Sequence, residues 1–315
     1  MATNKLTKKT LLGLKLEDVQ GTPVTLAATD FLNVEGVTVK PNNEKLTRDY
    51  SRQSLGPLPH MIGKQSGEVS FKAEFKGGGA AGTYSSTLSA ILVSCGLSST
   101  STAIMKPSSD AESTNFFGPG RPVTIHVWKD GLLHVLPGCL ASGVKLNIDA
   151  GKIPMIEVTY KGLWQDPTDA SAPANNPDKR LPPIVQNAAL TVQGFSGITS
   201  KFGLDFGTTL AEIDDISSSA GLLGFQITGY DPKATYEPLV PSVASHNVFS
   251  YLRLGTTGSL TATIGTVVGN KFIIIMPCVQ YDDVSYSDDA GLARFSLPLK
   301  VNDNILNDFI SISAC

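Results

Sequence analysis

One stretch of this 315-residue chain occurs twice, and that repeat constrains the fold more than any other feature. The first copy runs from Asp130 to Gly162 (DGLLHVLPGCLASGVKLNIDAGKIPMIEVTYKG), the second from Gly269 to Val301 (GNKFIIIMPCVQYDDVSYSDDAGLARFSLPLKV). Each holds an apolar run, a proline near a cysteine (Pro137 and Cys139, then Pro277 and Cys278) and an Asp-Ala-Gly turn (Asp149-Ala150-Gly151, then Asp289-Ala290-Gly291). Each closes on a segment of alternating apolar and polar residues, the period of a strand with one dry and one wet face. Shared features in one order point to a single β-unit used twice. Length agrees, because 315 residues suggest about two domains, and each half is long enough to bury a core. We expect domains at 1–170 and 184–315, joined by a linker at 171–183 within the Pro-, Asp- and Asn-rich stretch Asp166–Pro183.

The first half reads as antiparallel β with one short helix. Residues 1–22 lack a sustained strand pattern and read as a basic arm. Phe31–Val39 is a strand candidate. Asn42–Ser66 reads as a long connection carrying Lys45, Arg48, Arg52 and Lys64, and connections of that length are usually functional or disordered. Glu68–Lys76 alternates: Val69, Phe71, Ala73 and Phe75 face one way and Ser70, Lys72, Glu74 and Lys76 the other. Ser85–Cys95 predicts a helix with a serine N-cap, an apolar face and Gly96 as its stop. Ser98–Gly120 reads as loop. Strands follow at Val123–Trp128, Leu132–Leu136, Val144–Ile148 and Ile156–Tyr160.

The second half restarts in the same order. Ala189–Gly194 stands for the strand near Phe31, and Ile198–Ser219 for the long connection, here acidic with Asp205, Glu212, Asp214 and Asp215. Leu222–Tyr230 stands for the strand at Val69 and Ser242–Leu252 for the helix. Later strands are expected at Leu260–Ile264, Lys271–Met276, Asp283–Ser287 and Ala293–Val301, and the tail Ile305–Cys315 is apolar enough to pack.

No catalytic constellation emerges. His60, His126, His134 and His246 show no metal-ligand spacing, and Cys95, Cys139, Cys278 and Cys315 form no CxxC pair. Gly77-Gly78-Gly79 is followed by neither Lys-Ser nor Lys-Thr, so it is no phosphate loop. Asp214-Asp215, Asp282-Asp283 and Asp288-Asp289 are adjacent pairs, which on a strand point to opposite faces. A net charge of −3 suggests no nucleic-acid recognition. No run approaches the roughly 20 apolar residues that span a bilayer, so no membrane insertion is expected. We expect no enzyme, cofactor or metal site.

The first 165 residues resemble the tail tube proteins of long-tailed bacteriophages. The resemblance lies in LTKKTLLGLKLEDVQGTP (Leu6–Pro23), FLNVEGVTVKP (Phe31–Pro41), LTRDYSRQSLG (Leu46–Gly56), GEVSFKAEFKGGGAAGT (Gly67–Thr83), SCGL (Ser94–Leu97), VTIHVWKDG (Val123–Gly131) and VTYKGLWQDPTDA (Val158–Ala170). No piece is specific alone; the ordered set is. The second half lacks a clear SCGL helix end and the KGLWQDPTD close, so its membership rests on the repeat.

The resemblance implies a mainly β fold: two antiparallel β-sandwich or partial-barrel domains, each with a flanking helix, whose sheets join between subunits into a large β-barrel tube. It implies a structural virion protein that polymerises in the host cytoplasm into stacked rings of the viral tail. Its partners would be further copies of itself, the tail tip, tape measure and tail terminator proteins, and DNA passing through without sequence recognition. Two domains per chain imply a trimeric ring with pseudo-six-fold symmetry; a hexamer with outer second domains is the alternative. Ser70, Lys72, Glu74, Lys145, Asn147 and Asp149, with Glu157 and Thr159, are lumen-facing candidates. Lys45, Arg48 and Arg52 in one copy and Asp205, Glu212 and Asp214 in the other are ring-stacking candidates of opposite charge. A carbohydrate-binding or adhesin-like sandwich is the competing class, but Trp128 and Trp164 are isolated and only 7% of residues are aromatic, too few for an aromatic groove.

Overall fold

The computed structural model describes residues 5–315 except 54, 102 and 111–113. Its strands, in chain order, are β1 (Thr10–Leu16), β2 (Phe31–Leu32), β3 (Val34–Leu46), β4 (Met61–Glu74), β5 (Leu97–Ser101), β6 (Ile104–Pro107), β7 (Val123–Lys129), β8 (Leu132–Asp149), β9 (Met155–Leu163) and β10 (Thr168–Asp169). After the connecting segment come β11 (Ala189–Val192), β12 (Thr199–Asp205), β13 (Thr208–Asp214), β14 (Leu222–Tyr230), β15 (Lys233–Pro238), β16 (Thr257–Ile264), β17 (Phe272–Tyr281), β18 (Ser285–Asp289), β19 (Leu292–Asn302) and β20 (Ser311–Ala314). Helix α1 (Ser86–Ser94) lies between β4 and β5, and α2 (Val248–Leu254) between β15 and β16.

All pairings between named strands are antiparallel, as expected of hairpin-linked strands. They make one large sheet that is not closed into a barrel, with β13–β14 as a separate two-stranded hairpin. In the first half, β1 pairs with β7, β7 with β8, β8 with β9, β9 with β4 and β4 with β3. In the second half, β11 pairs with β16, β16 with β17, β17 with β19, β19 with β15 and β15 with β12. The two halves are then stitched edge to edge. Lys145–Asp149 of β8 pairs with Asp205–Lys201 of β12. The order β3–β4–β9–β8–β12–β15–β19–β18 is therefore one unbroken run.

Burial follows the alternation. Val69, Phe71, Ala73, Ile156, Val158 and Tyr160 of the first half join Phe202, Leu204, Tyr236, Leu297 and Leu299 of the second in one buried cluster. Phe75 and Phe272 meet across the halves with ring centroids 4.4 Å apart. The Ser85 hydroxyl accepts from the Leu88 N–H and caps α1, and Gly96 (φ +91) ends that helix. Asn247 caps α2 through the Ser250 N–H, and Gly255 closes it in the left-handed region.

Several expectations needed revision. The supposed N-terminal arm contains β1, paired along its whole length with β7, because Leu12 and Leu14 bury completely or nearly so; residues 1–4 lie outside the described residues. The connection Asn42–Ser66 is shorter than expected, since β3 runs on to Leu46 and β4 starts at Met61, which leaves 47–60 between them. Ile198–Ser219 is likewise built of β12 and β13. Two short strands, β5 and β6, occupy the start of Ser98–Gly120. By its pairing with β19, β15 rather than Leu222–Tyr230 occupies the place of Val69. The tail packs as β20, between β17 and β6.

Candidate assembly surfaces

One face of the unbroken run is wet and carries alternating charge. Residues directly opposite on neighbouring strands share a face. Register links Glu35 to Lys72, Lys72 to Glu157, Glu157 to Lys145, Lys145 to Asp205, Asp205 to Lys233 and Lys233 to Lys300. Two of these neighbours close into ion pairs, Lys72–Glu157 at 3.3 Å and Lys145–Asp205 at 3.6 Å. Glu68 holds Lys40 at 2.9 Å and Asp231 holds Lys233 at 2.9 Å on the same side of the sheet. Such exposed pairs contribute little stability. Their effect is on the surface potential, because Lys40, Lys72, Lys145 and Lys233 are each answered by a carboxylate within 3.6 Å.

The candidates Ser70, Lys72, Glu74, Lys145, Asn147 and Asp149 fall on this one face, with Glu157 and Thr159 between them, since Lys72 and Lys145 both neighbour Glu157 in register. Asp205, counted by sequence with the acidic connection, sits there too, beside Lys145.

The remaining candidates occupy two hairpin arms. Lys45 lies at the end of β3 and Arg48 and Arg52 in the connection beyond it, all exposed. Arg48 stacks over Tyr50 with its guanidinium carbon 5.9 Å from the ring centre, and Arg52 donates to the carbonyls of Gly56 and Pro57. Glu212 and Asp214 are on β13 and face Lys64 of the same chain, at 3.6 and 2.7 Å. The Asp214 hydrogen bond holds the Lys64 ammonium above its ordinary value. The opposite charges of the two arms are thus partly joined within one chain.

Sequence reasoning missed the seat beneath the second arm. Leu222, Phe225 and Ile227 of β14 bury against Leu140 of β8, with Leu163 and Leu210 packed alongside. The Gln20 side chain donates to the Phe225 carbonyl at 2.7 Å. Glu17, fully buried, shapes the turn that presents Gln20: its carboxylate accepts from the Gly21 N–H, the Gly138 N–H and the Thr124 hydroxyl, each at 2.7 Å. Burial pushes this carboxyl above its ordinary value against the pull of those donors.

Among the described residues no group of three or more His, Cys, Asp or Glu is placed to hold a metal. Cys95, with its thiol pushed up to about 12 by burial, and Cys139, raised for the same reason, are packed in the core. His126 and His134 are both held below the ordinary imidazole value by burial.

A family model described as phage tail tube protein matches residues 7–303. The chain belongs to that family. It is a structural tail tube protein of a bacteriophage virion, and the match covers both halves rather than the first alone. No curated protein matches the chain. Among the described residues, no helix of this tube protein is long and apolar enough to cross a membrane.

Proposed function

We propose that each chain carries two copies of one tube unit, at 1–170 and 184–315 with 171–183 between them, and that three chains close into a six-lobed ring. Rings stack, in the host cytoplasm, into the conduit through which viral DNA leaves. The observation that carries this reading is the twice-used strand order: β1–β7–β8–β9–β4–β3 and β11–β16–β17–β19–β15–β12 follow one plan. Closed rings also remove the exposed sheet edges that would otherwise recruit strands indiscriminately.

The wet face lines the lumen in this reading. Phosphate binding to a protein is driven by cations that displace counterions. Lysines already answered by Glu157, Asp205, Asp231 and Glu68 offer DNA little net attraction. Ring-to-ring contacts fall to the projecting first arm, with Lys45, Arg48 and Arg52, while Glu212 and Asp214 serve mainly within the chain. The ends of the tube would meet the tail tip and terminator proteins, and the lumen the tape measure.

Electron microscopy of the purified protein tests this. Three-fold rings with six similar lobes are expected. Six-fold rings with outer knobs would sink the trimer and leave the tube. Monomers that never stack at high concentration would overturn the tube reading in favour of a sandwich-type binding module.

A further inference from the structure

The unbroken run of strands ends in two free edges, β3 on one side and β18 on the other. Among the described residues β3 pairs only with β4, and β18 only with β19. These edges are the two halves of a joint that the chain already makes once internally. Through its pairing with β15, β12 holds the place that β3 holds beside β4, and Leu204 stands where Val39 stands. Through its pairing with β19, β18 holds the place of the last part of β8, and Tyr286 stands where Leu146 stands.

The geometry points to a joint between copies in which β3 of one chain pairs antiparallel with β18 of the next, Val39 opposite Tyr286, Thr38 opposite Ser287 and Lys40 opposite Ser285. This rests on the ring reading above and names the surface that closes the ring. The internal joint sets the register: Leu204 opposite Leu146, Gly203 opposite Asn147, Asp205 opposite Lys145.

Exposure shows what is missing. At the internal joint Leu146 is 1% exposed and Leu204 2%. At the free edge Tyr286, in Leu146's place, is 66% exposed, with its ring 5.0 Å from Phe295 and 6.4 Å from Phe249 of α2. Val37 and Val39 are only partly buried, although both pack on the core cluster. Aromatic–β-branched pairs across strands are favourable, and Val39 over Tyr286 is such a pair. On the wet side no like charges oppose: Lys40 meets Ser285 and Thr38 meets Ser287. The joint has a built-in end. Internally the Phe206 N–H donates to the Val144 carbonyl and extends the pairing; Pro41 holds that place within β3 and has no N–H to give along the free edge. The joint between copies is therefore shorter and less apolar than the joint within.

The test uses the full chain carrying Thr38→Cys and Ser287→Cys, with the unsubstituted chain as control for the native cysteines. Directly opposite residues sit about 4.5–5.5 Å apart at Cα, within disulfide reach. Oxidation of assembled protein is expected to give a covalent ladder ending at three chains. Thr38→Cys with Ser285→Cys, one diagonal step off, is expected to give far less. Tyr286→Asp, at a side chain already exposed in the single chain, is expected to leave the monomer folded and abolish rings. Rings that form but do not cross-link at 38 and 287, or that cross-link better at 38 and 285, would overturn the joint and leave the tube reading standing. Absence of rings from the unsubstituted chain would overturn both.

Discussion

Two hairpin arms leave corresponding positions in the two halves and end in different places. The first, the far parts of β3 and β4 with residues 47–60 between them, keeps its two strands paired with each other out to Leu46 and Met61, with a register shift between Asn43 and Lys45. It shows water Leu46, Tyr50, Leu55, Met61 and Ile62. The second, β13–β14, bends where β12 ends and folds back on the first half. Gly207 makes that bend, at φ +59, with its carbonyl accepting from the Asp231 N–H at 2.9 Å. A Cβ there would collide with the Asp231 carbonyl. Pro232 supports the break, since it cannot donate to a continuous ladder. The first arm has Asn42, paired with Ser66, where the second has Gly207. One glycine and one apolar strip thus separate a clasp from a projection. The second arm buries its apolar surface inside its own chain, and the first leaves its own exposed.

The clasp depends most on its apolar strip. Phe225→Ala is expected to cost about 3–5 kcal/mol, the range for a buried phenylalanine, read by urea denaturation of the monomer. Met61→Ala on the projecting arm should fall within about 0.5 kcal/mol of the parent, as exposed positions do. Equal losses at the two sites would erase the distinction between the arms. Next comes the bend itself. Gly207→Ala forces a side chain into the left-handed region, at about 1–3 kcal/mol for the backbone alone, with the Asp231 contact in addition. Limited proteolysis should then cut within 215–221, whereas Asn42→Gly should leave the cleavage pattern unchanged.

The seat under the clasp gives a smaller effect with a pH signature. Glu17→Gln keeps the shape but turns an amide donor toward donors that the carboxylate accepted. The expected loss is about 1–3 kcal/mol, the cost of leaving a buried polar group unpaired. Because burial raises the folded carboxyl above 4.5, the folded chain binds a proton more tightly than the unfolded chain between that value and the raised one. Stability should therefore fall as pH rises through that window. The Glu17→Gln variant should lack this slope in denaturation series across the acidic range.

The sequence made the strands that face the core readable, but not the contacts that distinguish the arms. Val69, Phe71 and Ala73, or Ile156, Val158 and Tyr160, announce themselves because burial on one face forces a period of two. The Asp-Ala-Gly turns are local too, with Ala290 at φ +53 and Gly291 at +88. By contrast, the outer parts of β3 and β4 read as loop, because Pro41-Asn42-Asn43-Glu44 and Gly63-Lys64-Gln65 are held by hairpin pairing and not by burial. β1 was obscured by the Leu11-Leu12 doublet, which blurs its alternation. The wet-face residues could be named, since alternation gives faces, but Asp205 could not be placed beside Lys145. That contact is a register between strands distant in sequence. The bend at Gly207 and the seat at Leu140 were invisible for the same reason: each is a tertiary event in residues that look ordinary in order.

The smallest expected effect is at the place where the arms meet. Lys64, on the first arm, reaches Asp214 and Glu212 on the second, and the Gln65 N–H donates to the Ala220 carbonyl at 3.1 Å. Lys64→Ala removes an exposed pair, so global stability should barely change, and salt should screen whatever contribution exists. The sign is fixed by Asp214, whose hydrogen bond raises the folded ammonium above 10.5. The contribution is fully present below that value and lost as pH rises through the raised one. Amide exchange at Gln65 is the sensitive readout, because that proton reports the closure of arm on arm and not unfolding of the whole chain. Faster exchange in the Lys64→Ala variant, reproduced in the parent by added salt, would mean that charge helps to keep the clasp shut. Unchanged exchange would assign the clasp to Leu222, Phe225 and Ile227 alone. The acids at Glu212 and Asp214 would then be free to meet the basic arm of another copy.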